Sequence, residues 1–432
     1  MKAIWLSLVL ILSLGAWAPT LHAQGSAQDD PELSQEERIV ISENARKKIP
    51  LLVERFRAGM GATRDDASQV ERVVRNDLDY SGLFRVTTIS LVDSGAVGSG
   101  FDALVRASTA IENGRVVLRG ELLSLPDLNP VFLRDYRAAA KDYREVAHRF
   151  SDDIVLYLTG QQGISRTSIA FVLKQGRSKE IYTVDYDGHN LRAVTNNGSI
   201  NLSPRFSKDG KRIAYASYLQ GDADIYVMDL SNGQNTCWVK GPGVQSSPAW
   251  SVQNHLAYGN TSGSQSGIYV ANGAGNKGSR LTRGGGINTS PSWSPDGRRM
   301  AHTSDRSGNP QIYTMDAEGG NARRLTFSGK WNDLPSWSPD GARIAYASRQ
   351  DGVFRIFSID ASGLGKPKQL TFGPGSDENP SWAPDSRHLV FSSSRGGTRG
   401  LYILNVDTGI VRSLVVGKGD ASSPDWSAVR PD

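Results

Sequence analysis

Cysteine is nearly missing from this sequence, with Cys237 the single thiol among 432 residues. One thiol excludes an internal disulfide framework and any cysteine-rich zinc site. Histidine is also sparse, six residues scattered along the chain, so no metal centre is expected. Charge of either sign forms no block: 49 Lys and Arg against 44 Asp and Glu leave +5, spread along the chain. Without a basic stripe to follow a phosphate backbone, nucleic acid is not an expected partner. Long apolar runs are absent beyond the N-terminus, and the run at residues 4–14 is shorter than the roughly 20 residues a spanning helix needs. It follows Lys2 and leads into Ala16, Ala18 and Ala23, the pattern of a secretory signal cleaved after Ala18 or Ala23. What is plentiful is glycine (46) and tryptophan (9), which with little helical periodicity points to many short strands joined by tight turns. Apolar residues make up 38% of the chain, enough for a sizeable core, and the length suggests two or three domains.

Composition divides the chain into a signal peptide at residues 1–23, a polar flexible tail at 24–37, an α+β domain at 38–160 and a repetitive region at 161–432. In the α+β part, strands are expected at 39–41, 49–56, 84–89, 103–107 and 115–125, with a turn at Glu112-Asn113-Gly114. Val70, Val73, Val74 and Leu78 recur at helical spacing, which predicts a helix over 65–79 capped by Asp65 or Asp66. A longer helix is expected over 136–159, and the polar, glycine-bearing segment 160–167 reads as a hinge.

The repeat is the strongest signal. Pro204, Pro248, Pro291, Pro335, Pro380 and Pro424 are spaced 44, 43, 44, 45 and 44 residues apart, each followed two positions later by Phe206, Trp250, Trp293, Trp337, Trp382 or Trp426. A second register runs through Tyr182, Tyr226, Tyr269, Tyr313, Phe357 and Tyr402. Each unit reads as four strands that cannot cover both faces alone, the signature of a propeller blade. The first unit lacks its Trp strand, and the last supplies only Ser423 to Ser427. The two fragments together complete one blade, which predicts a six-bladed β-propeller closed by the C-terminal strand, following an α+β domain.

Catalytic signals are weak. Gly273, Gly275 and Gly278 form a GxGxxG pattern between strands, without the helix N-terminus that holds a pyrophosphate, so a hairpin and no cofactor are expected. Asp185-x-Asp187-Gly188 lacks the glutamate of a calcium loop and reads as a turn. Asp296, Asp340 and Asp385 sit beside turn residues. His255 and His388 share a position that is Arg212, Arg299 and Arg343 elsewhere, so they read as solvated. His302 replaces a Tyr, and His148, in the second helix, suggests capping or a domain contact rather than proton transfer. No serine lies in a nucleophile elbow, so an enzyme is not expected. What remains is surface. The loops entering the Trp strands carry Asn201, Asn288, Thr289, Trp331, Asn332, Asp333, Asp377, Glu378 and Asn379, a set suited to protein docking. Two alternatives stay open: a secreted propeller enzyme acting on a polymer, which needs reactive groups clustered in the channel, or a carbohydrate-binding propeller, which needs aromatics on several blades where Trp331 stands nearly alone.

An exported α+β domain joined to repeats such as SPSWSPDG resembles the TolB family, the periplasmic component of the Tol-Pal system. The resemblance spans nearly the whole mature chain. It is carried by the repeat phrase, by AHRFSDDI at 147–154 running through LTG at 158–160 into TSIAFV at 167–172, and by SGLF at 81–84 and DALV at 102–105. It implies a non-catalytic periplasmic scaffold, a monomer without cofactor or metal, acting in outer-membrane integrity and cell division. Arg38, Ile39, Val40, Ile41 and Ser42 match the segment that docks a TolA-like inner-membrane protein, by adding a strand to a sheet edge. The loop face would bind a Pal-like outer-membrane lipoprotein. This chain differs in an acidic extension before Arg38, in a shorter, more basic stretch at 44–48, and in the join at 163–169. If 38–42 either packs between the domains or detaches, a partner on the propeller face that favours one state would control its availability.

Overall fold

The computed structural model describes residues 48–90, 100–275 and 277–430. The signal peptide, the polar tail, the strand expected at 39–41 and the docking segment Arg38, Ile39, Val40, Ile41 and Ser42 lie outside the described residues.

The chain first builds a sheet carrying two helices. β1 (Ile49–Glu54) lies between β3 (Phe84–Ile89) and β4 (Ala103–Glu112), parallel to both, and the short β2 (Arg57–Ala58) pairs β4. The antiparallel strands β5 (Arg115–Ser124) and β6 (Asn129–Ala139) extend the sheet. At the β4–β5 hairpin, Asn113 (φ 49°) and Gly114 (φ 72°) take the left-handed conformation that a two-residue turn needs.

Helix α1 (Arg64–Tyr80) buries Val70, Val73, Val74 and Leu78, the periodic set. Its cap is Thr63 rather than Asp65 or Asp66. The Thr63 hydroxyl accepts from the Asp66 N–H (3.2 Å) and the Asp66 carboxylate accepts from the Thr63 N–H (2.7 Å), a reciprocal box that leaves Asp65 free for Gln69. Helix α2 (Tyr143–Thr159) ends on left-handed Gly160, shorter than expected because residues 129–139 form β6. That edge strand is hidden by its charges: Asp135 and Arg137 face away from the helices, while Arg134 shares a face with the buried Phe132 and Tyr136 and pairs with Asp153 of α2 (2.8 Å). Phe150 of α2 lies so close to β5 that a Cβ on Gly120 would meet its ring at 2.5 Å.

Segment 160–167 is anchored rather than hinge-like. Ile164, Ser165 and Thr167 are buried, and Asp152 accepts from the Ser165 N–H (2.9 Å) and Arg166 Nε (3.1 Å).

The rest is six four-stranded antiparallel sheets around an axis. Blade one combines β7 (Ser168–Gln175), β8 (Ser178–Asp185) and β9 (Arg192–Ala193) with the closing strand Ala421–Trp426, paired in the register Trp426↔Ile169. Blades two to six span 201–239, 244–280, 288–324, 332–369 and 377–415. The repeated proline has a geometric role. Each Trp strand carries a bulge, two residues opposing one, and the residue before the proline has positive φ: Ser203, Ser247, Ser290, Leu334, Asn379 and Ser423.

Neighbouring blades are stitched at the aromatic. Ser292 Oγ accepts from the Trp337 N–H (3.0 Å), Ser381 Oγ from Trp426 (3.1 Å), and Asp425 Oδ2 from Phe206 (2.8 Å), so the seam between blades one and two uses a carboxylate where those two seams use a hydroxyl. Arg212, Arg299 and Arg343 stack over Trp250, Trp337 and Trp382 at 4.7–4.9 Å.

Candidate functional site

Antiparallel order puts all loops leaving fourth strands and all loops between second and third strands on one propeller face. The turns between first and second and between third and fourth strands lie on the other. The α+β region docks on that second face, through turns of blades one and six: Asp79 and Tyr80 meet Arg412 and His388, and Asp77 meets Tyr186. The first face carries the loops that the sequence nominates for docking.

Four nominated residues are not surface groups. Asn201, Asn288, Asn332 and Asp377 begin the first strands of blades two, four, five and six and have no exposed area. They act as struts to neighbouring chain. Asn201 Nδ2 donates to Lys179 O and Glu180 Oε2 (both 3.0 Å), Asn332 Nδ2 to Gln311 Oε1 (2.8 Å), Asn288 Oδ1 accepts from Arg306 (2.8 Å), and Asp377 from Arg395 (3.0 Å). Their polarity serves buried hydrogen bonds, which sequence alone cannot distinguish from an exposed polar loop. Asp333 is drawn inward as well: it accepts from Thr303 Oγ1 (2.7 Å) and the Leu334 N–H (2.6 Å), and burial pushes its carboxyl up. Thr289, Glu378 and Asn379 are partly exposed, Glu378 taking Arg399 (2.9 Å) and Asn379 the Ser392 hydroxyl (3.1 Å).

Trp331 is 38% exposed and has company. Ile200 and Ile287 stand at the same repeat position, one residue before the buried amide, and both are exposed, as are Phe327 (76%) and Phe372 in the same set of loops. The reading of Trp331 as nearly alone is therefore corrected. Aligning the residue before each buried amide would have found Ile200 and Ile287. An apolar arc mixing aliphatic and aromatic side chains, set in hydrogen-bonded loops, is chemistry for a protein surface more than for a sugar.

Beneath the opposite face, the inner strands enclose a cavity of about 330 Å³ lined by the Trp strands, Arg205, Lys208 and Asp425. Arg205 Nε lies 3.8 Å from Asp425 Oδ1, and burial pulls the Lys208 ammonium down. His302 is not in this space. It is buried in blade four against Tyr313, and burial pulls its pKa to about 3, so it is neutral and a filler for the tyrosine slot. His255 is exposed. His388, expected to be solvated, is buried: Nδ1 bonds Asp385 (2.6 Å), Nε2 bonds Asn405 (3.0 Å), and the ring stacks on Tyr80.

At the seam between α1, α2 and blade one, His148 Nδ1 bonds Asp77 Oδ2 (2.8 Å), the Tyr186 hydroxyl donates to Asp77 Oδ1, and Arg144 pairs with Asp187. Asp77, His148 and Asp187 bring donor atoms within 4.8 Å of one another, but protons from His148, Tyr186 and Arg144 already fill the carboxylates, so the group reads as a hydrogen-bonded network. Tyr186, missed by sequence reading, stands where other blades have Leu230, Gly273, Ala317, Ala361 and Val406; that departure from the repeat is the signal. The turn reading holds for Asp185-x-Asp187-Gly188, and Gly273 to Gly278 lie in the connection between two blade-three strands, 265–271 and 279–280.

A family profile described as the TolB beta propeller domain matches residues 156–430, and one described as the TolB amino-terminal domain matches 37–116. Curated relatives include a protein TolB homolog of Chlorobium chlorochromatii, 35% identical over 51% of this chain and 53% of that protein, and another of Chlorobium luteolum, 32% identical over 64% and 66%. A Tol-Pal system protein TolB of Desulfosudis oleivorans is 33% identical over 50% of this chain and 53% of its own length. The matched part spans about half to two thirds of these relatives. Among solved structures, TolB from Acinetobacter baumannii superposes with a TM-score of 0.78 at 24% identity, covering 89% of this chain and 98% of that one, a likeness of fold.

Proposed function

Because the chain belongs to the TolB family, we propose that it is a periplasmic, non-catalytic scaffold of the Tol-Pal system, holding a Pal-type outer-membrane lipoprotein on its free propeller face and a TolA-type inner-membrane protein through Arg38–Ser42. Such a bridge would support outer-membrane integrity and constriction at division. The observation that carries the Pal half is the apolar arc of Ile200, Ile287, Trp331, Phe327 and Phe372 on the face that the chain's own α+β region leaves uncovered. Exposed anchors surrounded by satisfied polar loops concentrate binding energy without a charge to desolvate. The TolA half rests on the Arg-Ile-Val-Ile-Ser segment, whose β-branched run suits joining a sheet edge. No helix among the described residues is long and apolar enough to cross a membrane.

Pull-downs with two variants separate the halves. Deleting residues 24–42 abolishes TolA capture and spares Pal, whereas Ile287→Ala with Trp331→Ala abolishes Pal capture and spares TolA. Loss of both partners in either variant, or of neither, refutes the assignment.

A further inference from the structure

The buried network at the seam has one group whose charge changes near neutral pH, and its geometry favours one of the two forms. His148 is 2% exposed and lies between carboxylates from different parts of the fold: Nδ1 is 2.8 Å from Asp77 of α1, and Nε2 is 3.8 Å from Asp187 in the turn after β8. Nε2 has no hydrogen-bond partner. A neutral imidazole donating from Nδ1 would point its Nε2 lone pair at the Asp187 carboxylate, whereas a doubly protonated ring directs an N–H toward each carboxylate. Formal charge agrees: among the described residues, the permanent cation bonded to the Asp77–Asp187 pair is Arg144, so these three groups balance when His148 carries its second proton.

We propose that His148 is a proton-controlled latch between the α+β region and the propeller, closed when the imidazole is charged and loosened when it is neutral. The two carboxylates facing the ring favour that direction, and the Arg144 cation opposes it. From α1 comes Asp77; from blade one come Asp187 and Tyr186, whose hydroxyl donates to Asp77 and whose ring meets the imidazole edge-on at 5.9 Å. On its own helix lie Arg144, which pairs with Asp187, and Asp152, which is turned to Ser165 and Arg166. His189 reaches Asp187 from solvent at 3.2 Å. Burial draws the His148 pKa down, but the charge and hydrogen bond of Asp77, with the charge of Asp187, raise it above its ordinary 6.5. A group raised in the folded state contributes stability that is full below the unfolded value and is lost as pH rises through the folded value. The latch therefore opens on the alkaline side.

Hydrogen exchange of the full chain, corrected for the intrinsic pH dependence of exchange, tests this at about pH 6 and about pH 8.5. Protection of residues 185–190 and of the last turn of α1 should fall about tenfold at the higher pH in the native protein and stay flat in His148→Gln. Asp187→Asn should move the transition down by about one pH unit. Histidine NMR of the unmutated protein supplies a readout that no folding defect can blur: the His148 ring should titrate above 6.5. A midpoint at or below that value, identical profiles for native protein and His148→Gln, or a transition unmoved by Asp187→Asn would overturn the proposal.

Discussion

The two faces of the propeller solve opposite problems with different residues. On the face that meets the α+β region, charged and aromatic groups are buried and paired: Asp77 with His148 and Tyr186, Arg144 with Asp187, His388 with Asp385 and Tyr80. On the other face buried amides and carboxylates such as Asn332 and Asp377 bond within the propeller, and apolar side chains stand exposed. A permanent contact can hold desolvated charges because their partners are built in by the fold. A face awaiting a separate partner does better with apolar anchors, whose exposure costs the free protein little and whose burial favours the complex.

Breaking the covered face has the largest expected effect. Asp77→Ala removes the acceptor shared by His148 and Tyr186 and should cost about 3–5 kcal/mol in urea unfolding, since a buried imidazole N–H and a buried hydroxyl both lose their partner. A histidine inside a blade sharpens the contrast through the sign of its pH dependence. His302 has a folded pKa of about 3 against an ordinary 6.5, so the unfolded chain binds the extra proton and stability is lost as pH falls from 6.5 toward 3. His302→Phe should flatten that acid limb, with a relative gain on the order of 3 kcal/mol near pH 4 in denaturation curves. His148 gives the opposite slope, lost on the alkaline side.

On the free face, Trp331→Ala should change unfolding stability by less than about 1 kcal/mol yet weaken lipoprotein binding by about 2 kcal/mol or more in calorimetry. If its stability cost matched that of Asp77→Ala, the difference between the faces would vanish. The smallest effect concerns Leu334, the leucine at a positive-φ position that is serine or asparagine in the other blades (φ 58°). Leu334→Asn should raise stability by about 0.5–1 kcal/mol in thermal melts, by relieving a backbone state that asparagine tolerates.

The propeller was legible because its information is local and repeated six times. Pro204 and its five counterparts mark a bulge, and Phe206 and its five counterparts mark an interblade contact, so each blade restates the others. The α+β region has no repeat to average over. There α1 was read from Val70, Val73, Val74 and Leu78, but β6 was missed because an edge strand with charged outer positions lacks a clean alternating pattern. Among the site residues, Trp331 is legible as an exposed aromatic, while Asn201, Asn288, Asn332 and Asp377 read as surface in the sequence and are internal struts in the fold. An amide that pairs inside and one that waits outside look alike until their partners are known. The departures from the repeat, Tyr186 among them, were the overlooked sign of the second face.

By itself the chain determined the number of blades, the completion of blade one by its own C-terminal strand, and the turns, because these follow from spacing and backbone preference within a few dozen residues. Only the tertiary structure decided which polar groups are buried, that α1, α2 and blade one meet around His148, and that Ile200, Ile287 and Trp331 share one exposed arc. Those outcomes depend on groups tens to hundreds of residues apart meeting in a low-dielectric interior or remaining in water, and no local pattern encodes that meeting.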